Sequence, residues 1–371
     1  MADAVPGFLP RAALQHLIDA LIAAGYRCLG PQERDGAILY DRLTSVTQLP
    51  LGRHDRQAPG HYRLEASADP RWFAWANGPQ ALKPLLFAPT EPLWKVTREA
   101  DGVMHFSEQA VPAEPTAVIG VRACDLAALA LQDAHFMAPP HADAHYMARR
   151  ANLFLVAVNC THPADTCFCV STGDGPNATT GYDIDLSELE DGFLIQAGSD
   201  EGRQILASLP LVPASTRQIA LAQSQTDKAI AAQSRSLPGH NLRAALFANL
   251  EHPRWQEVAD RCLSCGNCTS VCPTCFCSSH NEVPDLSGTS SEHVREWSSC
   301  FTLDHSYMHG YVVRPDTRTR YRQWLTHKLG SWHEQYGRSG CVGCGRCVSW
   351  CPAGIDITEE ATAICGGGQH D

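Results

Sequence analysis

Two cysteine runs near the C-terminus carry the clearest chemical signal in this sequence. Both have the pattern C-x2-C-x2-C-x3-C-P: CLSCGNCTSVCP at residues 262–273 and CVGCGRCVSWCP at residues 341–352. A run of this kind wraps a 4Fe-4S cluster, and in proteins with two runs the fourth cysteine of each binds the cluster of the other. Structural zinc favours C-x2-C pairs with longer spacers, so the pattern predicts two iron–sulfur clusters.

The crossed arrangement predicts eight ligands. Three thiolates spaced two residues apart lie along one tight turn of backbone and bind three irons of a cubane, and the proline then prevents a continuing helix. The predicted ligands of cluster one are Cys262, Cys265, Cys268 and Cys351. The predicted ligands of cluster two are Cys341, Cys344, Cys347 and Cys272.

Further cysteines follow two apolar segments in the N-terminal half. TAVIGVRACDLAALALQDAHF reads as a buried strand ending at Cys124 and a helix that Asp125 helps to start. ANLFLVAVNC reads as a second buried strand ending at Cys160. In a βαβ unit the two strands are parallel, so both thiols are expected at the carboxyl edge of the sheet, where α/β proteins bind ligands.

The run CFC follows shortly after this second strand. Its thiols can fold back over the same sheet edge, which would bring four cysteines together. We therefore predict a third 4Fe-4S cluster, with the ligands Cys124, Cys160, Cys167 and Cys169. The alternative is that Cys124 and Cys160 are small buried hydrophobic residues, as many cysteines are.

Three more thiols follow the first run in the sequence. They are Cys275, Cys277 and Cys300. They are one ligand short of an all-cysteine cluster site, and only His280 and His305 offer a fourth ligand. Packing around the clusters or a redox-active thiol pair is therefore favoured over a further cluster.

The length of 371 residues predicts about two domains. Residues 1–240 are predicted to form an α/β domain that contains the βαβ unit and its cysteine site. Its strand candidates lie at 37–43, 61–66, 117–123, 152–159 and 193–198. The polar stretch 214–240 places the boundary, and residues 241–371 are predicted to form a mainly α-helical, ferredoxin-like two-cluster domain with a long insertion at 274–340.

Charge and hydropathy limit the partners. The chain has 29 basic and 40 acidic residues and a net charge of -11, which argues against non-specific nucleic-acid binding. The N-terminus has Asp3 where a secretion signal needs positive charge, and Asp19 breaks the apolar stretch of such a signal. The segment reads instead as an amphipathic helix with apolar residues at 14, 17, 18, 21 and 22 on one face. No segment is apolar enough for a bilayer, so we expect a cytoplasmic protein without membrane contact, whose thiols stay reduced.

A basic cluster precedes the second run in VVRPDTRTRYRQWLTHK. Its members are Arg314, Arg318, Arg320, Arg322 and Lys328. One interpretation is a solvated surface. The other is that these charges offset the clusters or bind an acidic partner, which would also raise the cluster potentials.

The sequence has no recognisable nucleotide-binding motif. No G-x-G-x-x-G follows a strand, no P-loop is present, and the histidines are scattered. We therefore predict no catalytic residues, and no cofactor-binding residues beyond the cluster ligands. Electrons must then enter from one partner protein and leave to another.

Several motifs in this order resemble a known family. They are VRACD, a strand ending in NC, CFC followed by GYDIDL, CLSCGNCTSVCPTCFC, REWSSC, RYRQWLTHK and CVGCGRCVSWCPAGID. Together they resemble the iron–sulfur β subunit of cytoplasmic NiFe hydrogenases of the sulfhydrogenase type, and the iron–sulfur subunit of anaerobic sulfite reductase. The resemblance implies that Cys124, Cys160, Cys167 and Cys169 form a ligand set. It also implies a flavoprotein partner that binds FAD and NAD(P), and a catalytic partner that is a NiFe hydrogenase or a sulfite reductase.

The expected function follows from these partners. We expect an electron-transfer subunit of a soluble NAD(P)-linked NiFe hydrogenase complex, which relays single electrons through two or three 4Fe-4S clusters. One alternative is the iron–sulfur subunit of an anaerobic sulfite reductase. Another is a thiol-based disulfide or polysulfide reductase that uses Cys275, Cys277 and Cys300.

Overall fold

The computed structural model describes residues 6–80, 82–111 and 114–366, so Asp3 lies outside the described residues. The strands are β1 (Gly7–Pro10), β2 (Arg27–Arg34), β3 (Ala37–Arg42), β4 (Arg53–Ala58), β5 (His61–Ala66), β6 (Thr90–Arg98), β7 (Met104–Glu108), β8 (Thr116–Val121), β9 (Leu153–Val158), β10 (Ile184–Glu188), β11 (Gly192–Ala197), β12 (Val212–Pro213), β13 (Ser278–Pro284), β14 (Ser290–Trp297), β15 (Tyr307–Met308) and β16 (Tyr311–Val312).

The structure has helices along the whole chain, and most of those in the C-terminal part are short. They are α1 (Leu14–Ala23), α2 (Lys83–Leu86), α3 (Ala123–Phe136), α4 (Ala144–Ala151), α5 (Cys169–Thr172), α6 (Asp200–Ala207), α7 (Thr216–Ala231), α8 (Arg243–Ala248), α9 (Arg254–Arg261), α10 (Asn267–Ser270), α11 (Thr317–Thr326), α12 (Trp332–Tyr336), α13 (Arg346–Ser349) and α14 (Ile357–Cys365). A π-helical turn at His327–Ser331 joins α11 to α12.

A mixed eight-stranded sheet forms the N-terminal part, in the order β12-β1-β11-β10-β9-β8-β2-β3. Strands β2, β8, β9 and β10 are parallel neighbours, whereas β1, β3 and β11 pair antiparallel. All six residues of β8 are buried, as expected for a parallel strand covered on both faces. The five predicted strands are confirmed as β3, β5, β8, β9 and β11.

Helix α1 covers one face of this sheet. Its predicted apolar stripe is confirmed at Leu14, Leu17, Ile18 and Leu21. The prediction was wrong for Ile22, which is 42% exposed because it lies at the margin of the stripe.

The predicted βαβ unit is present, because β8 and β9 are parallel neighbours connected through α3 and α4. Its strands end earlier than predicted. β8 ends at Val121, so Cys124 lies in the first turn of α3, and Cys160 lies in the loop after β9. Arg122 is the N-cap residue of α3, and its buried guanidinium donates to the carbonyls of Phe73, Trp75, Ala76 and Val158.

The C-terminal part contains the helices α8 to α14 and a second sheet. Strands β13 and β14 of the insertion pair with β6 and β7 in the order β13-β14-β6-β7, so the insertion joins the N-terminal part. The C-terminal part is therefore a helical dicluster region whose insertion adds a hairpin to the mainly α-helical arrangement that we predicted.

The polar stretch before residue 240 is largely helical. The hydroxyl of Ser215 accepts from the Gln218 backbone, and the Gln218 side chain accepts from the Ser215 backbone, so a capping box starts α7. Ala222 of α7 packs with Phe8 and Leu189 of the N-terminal part. The boundary at residue 240 stays a prediction. Within the described ranges, no helix has the length and apolar character needed to cross a bilayer.

Candidate metal centres

The two cysteine runs share one backbone conformation. The residue before the second cysteine has positive φ in both, 51° at Ser264 and 63° at Gly343. The residue after the second cysteine also does, 73° at Gly266 and 74° at Gly345. The short helices α10 and α13 then begin at equivalent positions. Two runs separated along the chain therefore form the same turn around their first three thiols.

Backbone amides point at sulfur in both runs. The amide nitrogen of Ser264 lies 3.5 Å from Cys262 Sγ, and that of Gly343 lies 3.4 Å from Cys341 Sγ. The Ile355 nitrogen lies 3.4 Å from Cys351 Sγ. Such N–H donors stabilise thiolate charge and raise the potential of a bound cluster. The donor set therefore fits an iron–sulfur cluster.

The structure brings together the predicted ligands of cluster one. Cys262, Cys265 and Cys268 of the first run and Cys351 of the second run line one cavity, and Cys347, a predicted ligand of cluster two, also lines it. The other walls of this cavity are mainly apolar and aromatic: Leu263, Phe301, Tyr321, Trp324, Ile355 and Ile357.

The predicted ligands of cluster two also lie near one another. Burial raises the pKa of Cys341 to about 12, and negative charge at Cys344 and Cys272 adds to this effect. Burial also raises the pKa of Cys347, and charge at Cys341, Cys344 and Cys272 raises it further. Because a thiol must lose its proton to bind iron, cluster insertion at this site releases protons.

Within the described ranges, no three His, Cys, Asp or Glu side chains lie close enough to share one metal ion. A cubane needs more space, since each of its thiolates binds a different iron.

The third predicted set is partly assembled. Burial is the main cause of the raised pKa values of Cys160, Cys167 and Cys169. Charge at Cys160 further raises the pKa of Cys167 and Cys169, and charge at Cys169 further raises that of Cys167. Cys124 lies in one buried group with Cys169 and with Cys344 of the second run. Cys124 therefore lies between the third site and cluster two.

Two polar residues contact this site although nothing in the sequence predicts that they do. Gln233, just after α7, donates from Nε2 to Cys169 Sγ at 3.3 Å. Asn77 donates from Nδ2 to the Cys344 carbonyl at 2.8 Å, and this nitrogen lies 3.9 Å from Cys167 Sγ. Both are far in sequence from the thiols that they contact, so spacing alone does not reveal them.

The third site packs directly against the second run. The Phe168 amide donates to the Gly343 carbonyl at 2.8 Å. A Cβ atom at Gly343 would lie 2.5 Å from the Phe168 backbone, and one at Gly345 would lie 2.5 Å from the Thr166 carbonyl. Glycine at these positions thus permits both the positive φ and the close approach.

The remaining three thiols lie beside the ferredoxin-type ligands. Cys272 raises the pKa of Cys275, and the charge of Cys277 raises the pKa of Cys300, which burial brings to about 12. Cys275 and Cys277 line a second cavity together with His305. The other ligand candidate, His280, instead contacts His293 Nε2 at 3.0 Å on the second sheet.

The basic cluster is not one solvated surface. Arg318 and Arg322 both pair with Glu251. Arg320 is only 8% exposed and donates to backbone carbonyls, and Lys328 is 4% exposed. The solvated interpretation was therefore wrong for Arg320 and Lys328.

Comparisons with known proteins agree with this geometry. Two models described as 4Fe-4S dicluster domains match the chain, one over residues 261–355 and the other over residues 224–276. The sulfhydrogenase 2 β subunit of Pyrococcus furiosus is 32% identical over 244 residues, which cover 64% of this chain and 71% of that subunit. The chain belongs to the sulfhydrogenase β-subunit family. No solved structure matches it.

This sulfhydrogenase β-subunit homologue is an iron–sulfur electron-transfer subunit. The dicluster matches imply at least two 4Fe-4S clusters, and membership of the family implies that it works in a complex with other chains.

Proposed function

We propose that this chain is the electron-transfer subunit of an NAD(P)-linked NiFe hydrogenase complex of the sulfhydrogenase type. It relays single electrons between the catalytic subunits and a flavoprotein subunit. The observation that carries the proposal is the cavity lined by Cys262, Cys265, Cys268, Cys347 and Cys351, because it brings together thiols of both runs, and crossed ligation of two ferredoxin clusters requires the runs to be adjacent. The name of the Pyrococcus furiosus relative supports the hydrogenase assignment.

The clusters would supply one-electron chemistry, and the chain's own residues would set where it happens. The proposed ligands of cluster one are Cys262, Cys265, Cys268 and Cys351, and those of cluster two are Cys341, Cys344, Cys347 and Cys272. A third 4Fe-4S cluster on Cys124, Cys160, Cys167 and Cys169 is part of the proposal, supported by the buried group that Cys124 shares with Cys169 and by the effect of Cys160 on the pKa of Cys167 and Cys169. Reduced thiols are available in the cytoplasm, where we place the complex.

The test uses the native complex, isolated under anaerobic conditions through an affinity tag on this chain. A flavoprotein and a NiFe large subunit should co-purify. Replacement of Cys341 by Ala should abolish hydrogen-driven NAD(P)+ reduction. The partial reactions should persist: hydrogen-driven viologen reduction at the catalytic subunits, and NAD(P)H-driven dye reduction at the flavoprotein. If the variant keeps the full reaction, the chain is not the electron path; if a sirohaem subunit co-purifies, the sulfite reductase alternative replaces the hydrogenase.

The thiol-based reductase is less well supported. It needs an accessible thiol with a low pKa, whereas burial raises the pKa of both Cys277 and Cys300. We therefore expect iodoacetamide to leave Cys275, Cys277 and Cys300 unlabelled in the anaerobic holo-subunit. Labelling of any of them would revive this alternative.

A further inference from the structure

Two buried lysines flank the second cluster site. The chain contains only four lysines among its 29 basic residues: Lys83, Lys95, Lys228 and Lys328. Lys83 and Lys328 are each 4% exposed, although lysine is almost never fully buried without a partner. The two that are buried both lie next to Cys272 and Cys275.

Lys328 reaches the site through a short chain of polar contacts. Its Nζ donates to Thr274 Oγ1 at 2.8 Å, and this oxygen lies 3.2 Å from Cys272 Sγ. Thr274 Oγ1 also donates to the Gly340 carbonyl at 2.7 Å, next to Cys341. The ammonium therefore lies between segments that supply ligands from both runs.

Lys83 approaches the same site from α2. Its Nζ donates to the carbonyls of Thr269 at 3.2 Å and Ser270 at 3.0 Å, in the helix between Cys268 and Cys272. The ammonium lies 3.7 Å from the ring centre of Trp297, a cation–π contact. Both lysines are thus fixed in place, so their positions do not depend on a mobile side chain.

Neither lysine has a carboxylate partner among the residues that the structure describes. Within the described ranges, the only lysine in an ion pair is Lys95, whose Nζ lies 3.8 Å from Glu292 Oε1 on the surface. A buried charge without a counter-charge is costly. The negative charge that compensates Lys328 must therefore come from thiolates, and the nearest belong to Cys272, Cys275 and Cys341.

The surroundings of cluster one are different. The cavity lined by its four predicted thiols and Cys347 is walled mainly by apolar and aromatic side chains, and among the described residues no lysine lines it. Lys83 lines the neighbouring cavity, to which Cys265 also contributes. One-electron reduction makes a cluster more negative by one charge without forming or breaking a bond, and the donor protein loses that electron. A nearby buried cation stabilises the reduced form, and salt screens this interaction little.

We propose that Lys328, assisted by Lys83, makes cluster two the higher-potential centre of the pair, so that an electron entering the two runs rests at cluster two. The proposal rests on the proposed function, because it requires both runs to hold clusters. Lys328 acts as a positioning charge and does not transfer the electron itself.

The test is a potentiometric titration of the full-length, anaerobically prepared chain, followed by electron paramagnetic resonance. The signal that disappears in Cys265→Ala identifies cluster one, and the signal that disappears in Cys341→Ala identifies cluster two. In the wild type the cluster-two signal should have the higher potential. Lys328→Met should weaken reduction of cluster two at least tenfold, which is 59 mV for a one-electron couple, with a smaller effect for Lys83→Met. Lys228→Met, on the exposed side of α7, should change neither potential.

Iron and sulfide are counted first for each protein. If the wild type lacks clusters, the proposed function fails. If wild type and variants carry equal iron but Lys328→Met leaves the potential of cluster two unchanged, or moves both potentials equally, the proposal is overturned while the function stands. If Lys328→Met does not retain iron, two other measurements test the proposal. It is overturned if cluster two has the lower potential in the wild type, or if Lys83→Met leaves the potential of cluster two unchanged.

Discussion

The guanidinium of Arg346 and the carboxylate of Asp125 form a bidentate ion pair between the second cysteine run and the first turn of α3. Nη1 lies 2.7 Å from Oδ1 and Nη2 lies 3.1 Å from Oδ2, and both side chains are 1% exposed. Because Asp125 follows Cys124 and Arg346 follows Gly345, this pair fixes the third cysteine site against cluster two.

Asp125→Asn tests this connection. The substitution keeps the shape of the side chain but leaves the buried Arg346 without a counter-charge, which costs about 3–5 kcal/mol. We expect the midpoint of anaerobic thermal unfolding to fall by several degrees. The control Asp200→Asn breaks a pair with Arg203 that is exposed to solvent, and it should leave the midpoint unchanged. Equal midpoints for both variants would show that the buried pair does not join the two parts.

Gly343→Ala should disrupt the contact between the second run and the CFC loop. The new methyl group would lie 2.5 Å from the Phe168 backbone, so the loop must move. We expect iron to be lost from cluster two and from the third site. Gly337→Ala is the matched control, because Gly337 has a similar positive φ of 72° but no atom within 4 Å of the added Cβ. Full iron content in Gly343→Ala would contradict this packing.

The crossed ligation predicts which cysteine variants behave alike. Cys351→Ala should lose the same paramagnetic signal as Cys265→Ala, although the two residues belong to different runs. Cys272→Ala should likewise match Cys344→Ala. Cys28→Ala, in the core of the N-terminal sheet, should keep every signal. If Cys351→Ala instead matches Cys344→Ala, each run binds its own cluster and the crossed assignment is wrong.

Glu91 should make the stability of the chain depend on pH in acid. Burial tends to raise the pKa of this carboxyl, but hydrogen bonds from Arg149, His145 and Arg295 outweigh it and lower the pKa to about 2. The folded pKa lies below the value of about 4.3 expected in the unfolded chain, so Glu91 contributes stability above that pH and loses it as the pH falls towards 2.

Glu91→Gln should therefore destabilise the protein by about 3 kcal/mol at pH 7, because Arg149 loses its carboxylate partner and the buried Arg295 keeps only Asp143. The difference in thermal midpoint from the wild type should shrink at pH 3. Glu108→Gln, on the exposed strand β7, serves as the control. A difference between Glu91→Gln and the wild type that is the same at pH 7 and pH 3 would contradict the ion-pair explanation.

The sequence predicts the local features of this protein well. The cysteine runs follow from spacing alone, and the strands β8 and β9 follow from their apolar character. The contacts of Arg122, the N-cap residue of α3, do not follow from the sequence, because its guanidinium bonds to carbonyls around Trp75 that lie far away in sequence. Lys83 and Gln233 were also missed, since their roles arise only when α2 and α7 pack near the cysteines.

The most direct test of the account is the iron, acid-labile sulfide and zinc content of the anaerobically purified chain. Three 4Fe-4S clusters predict about twelve irons and about twelve sulfides per chain, and two clusters predict about eight of each. A value near eight would remove the third site and leave the two ferredoxin-type clusters intact. A colourless protein that contains zinc and no sulfide would contradict the claim that this chain conducts electrons through iron–sulfur clusters.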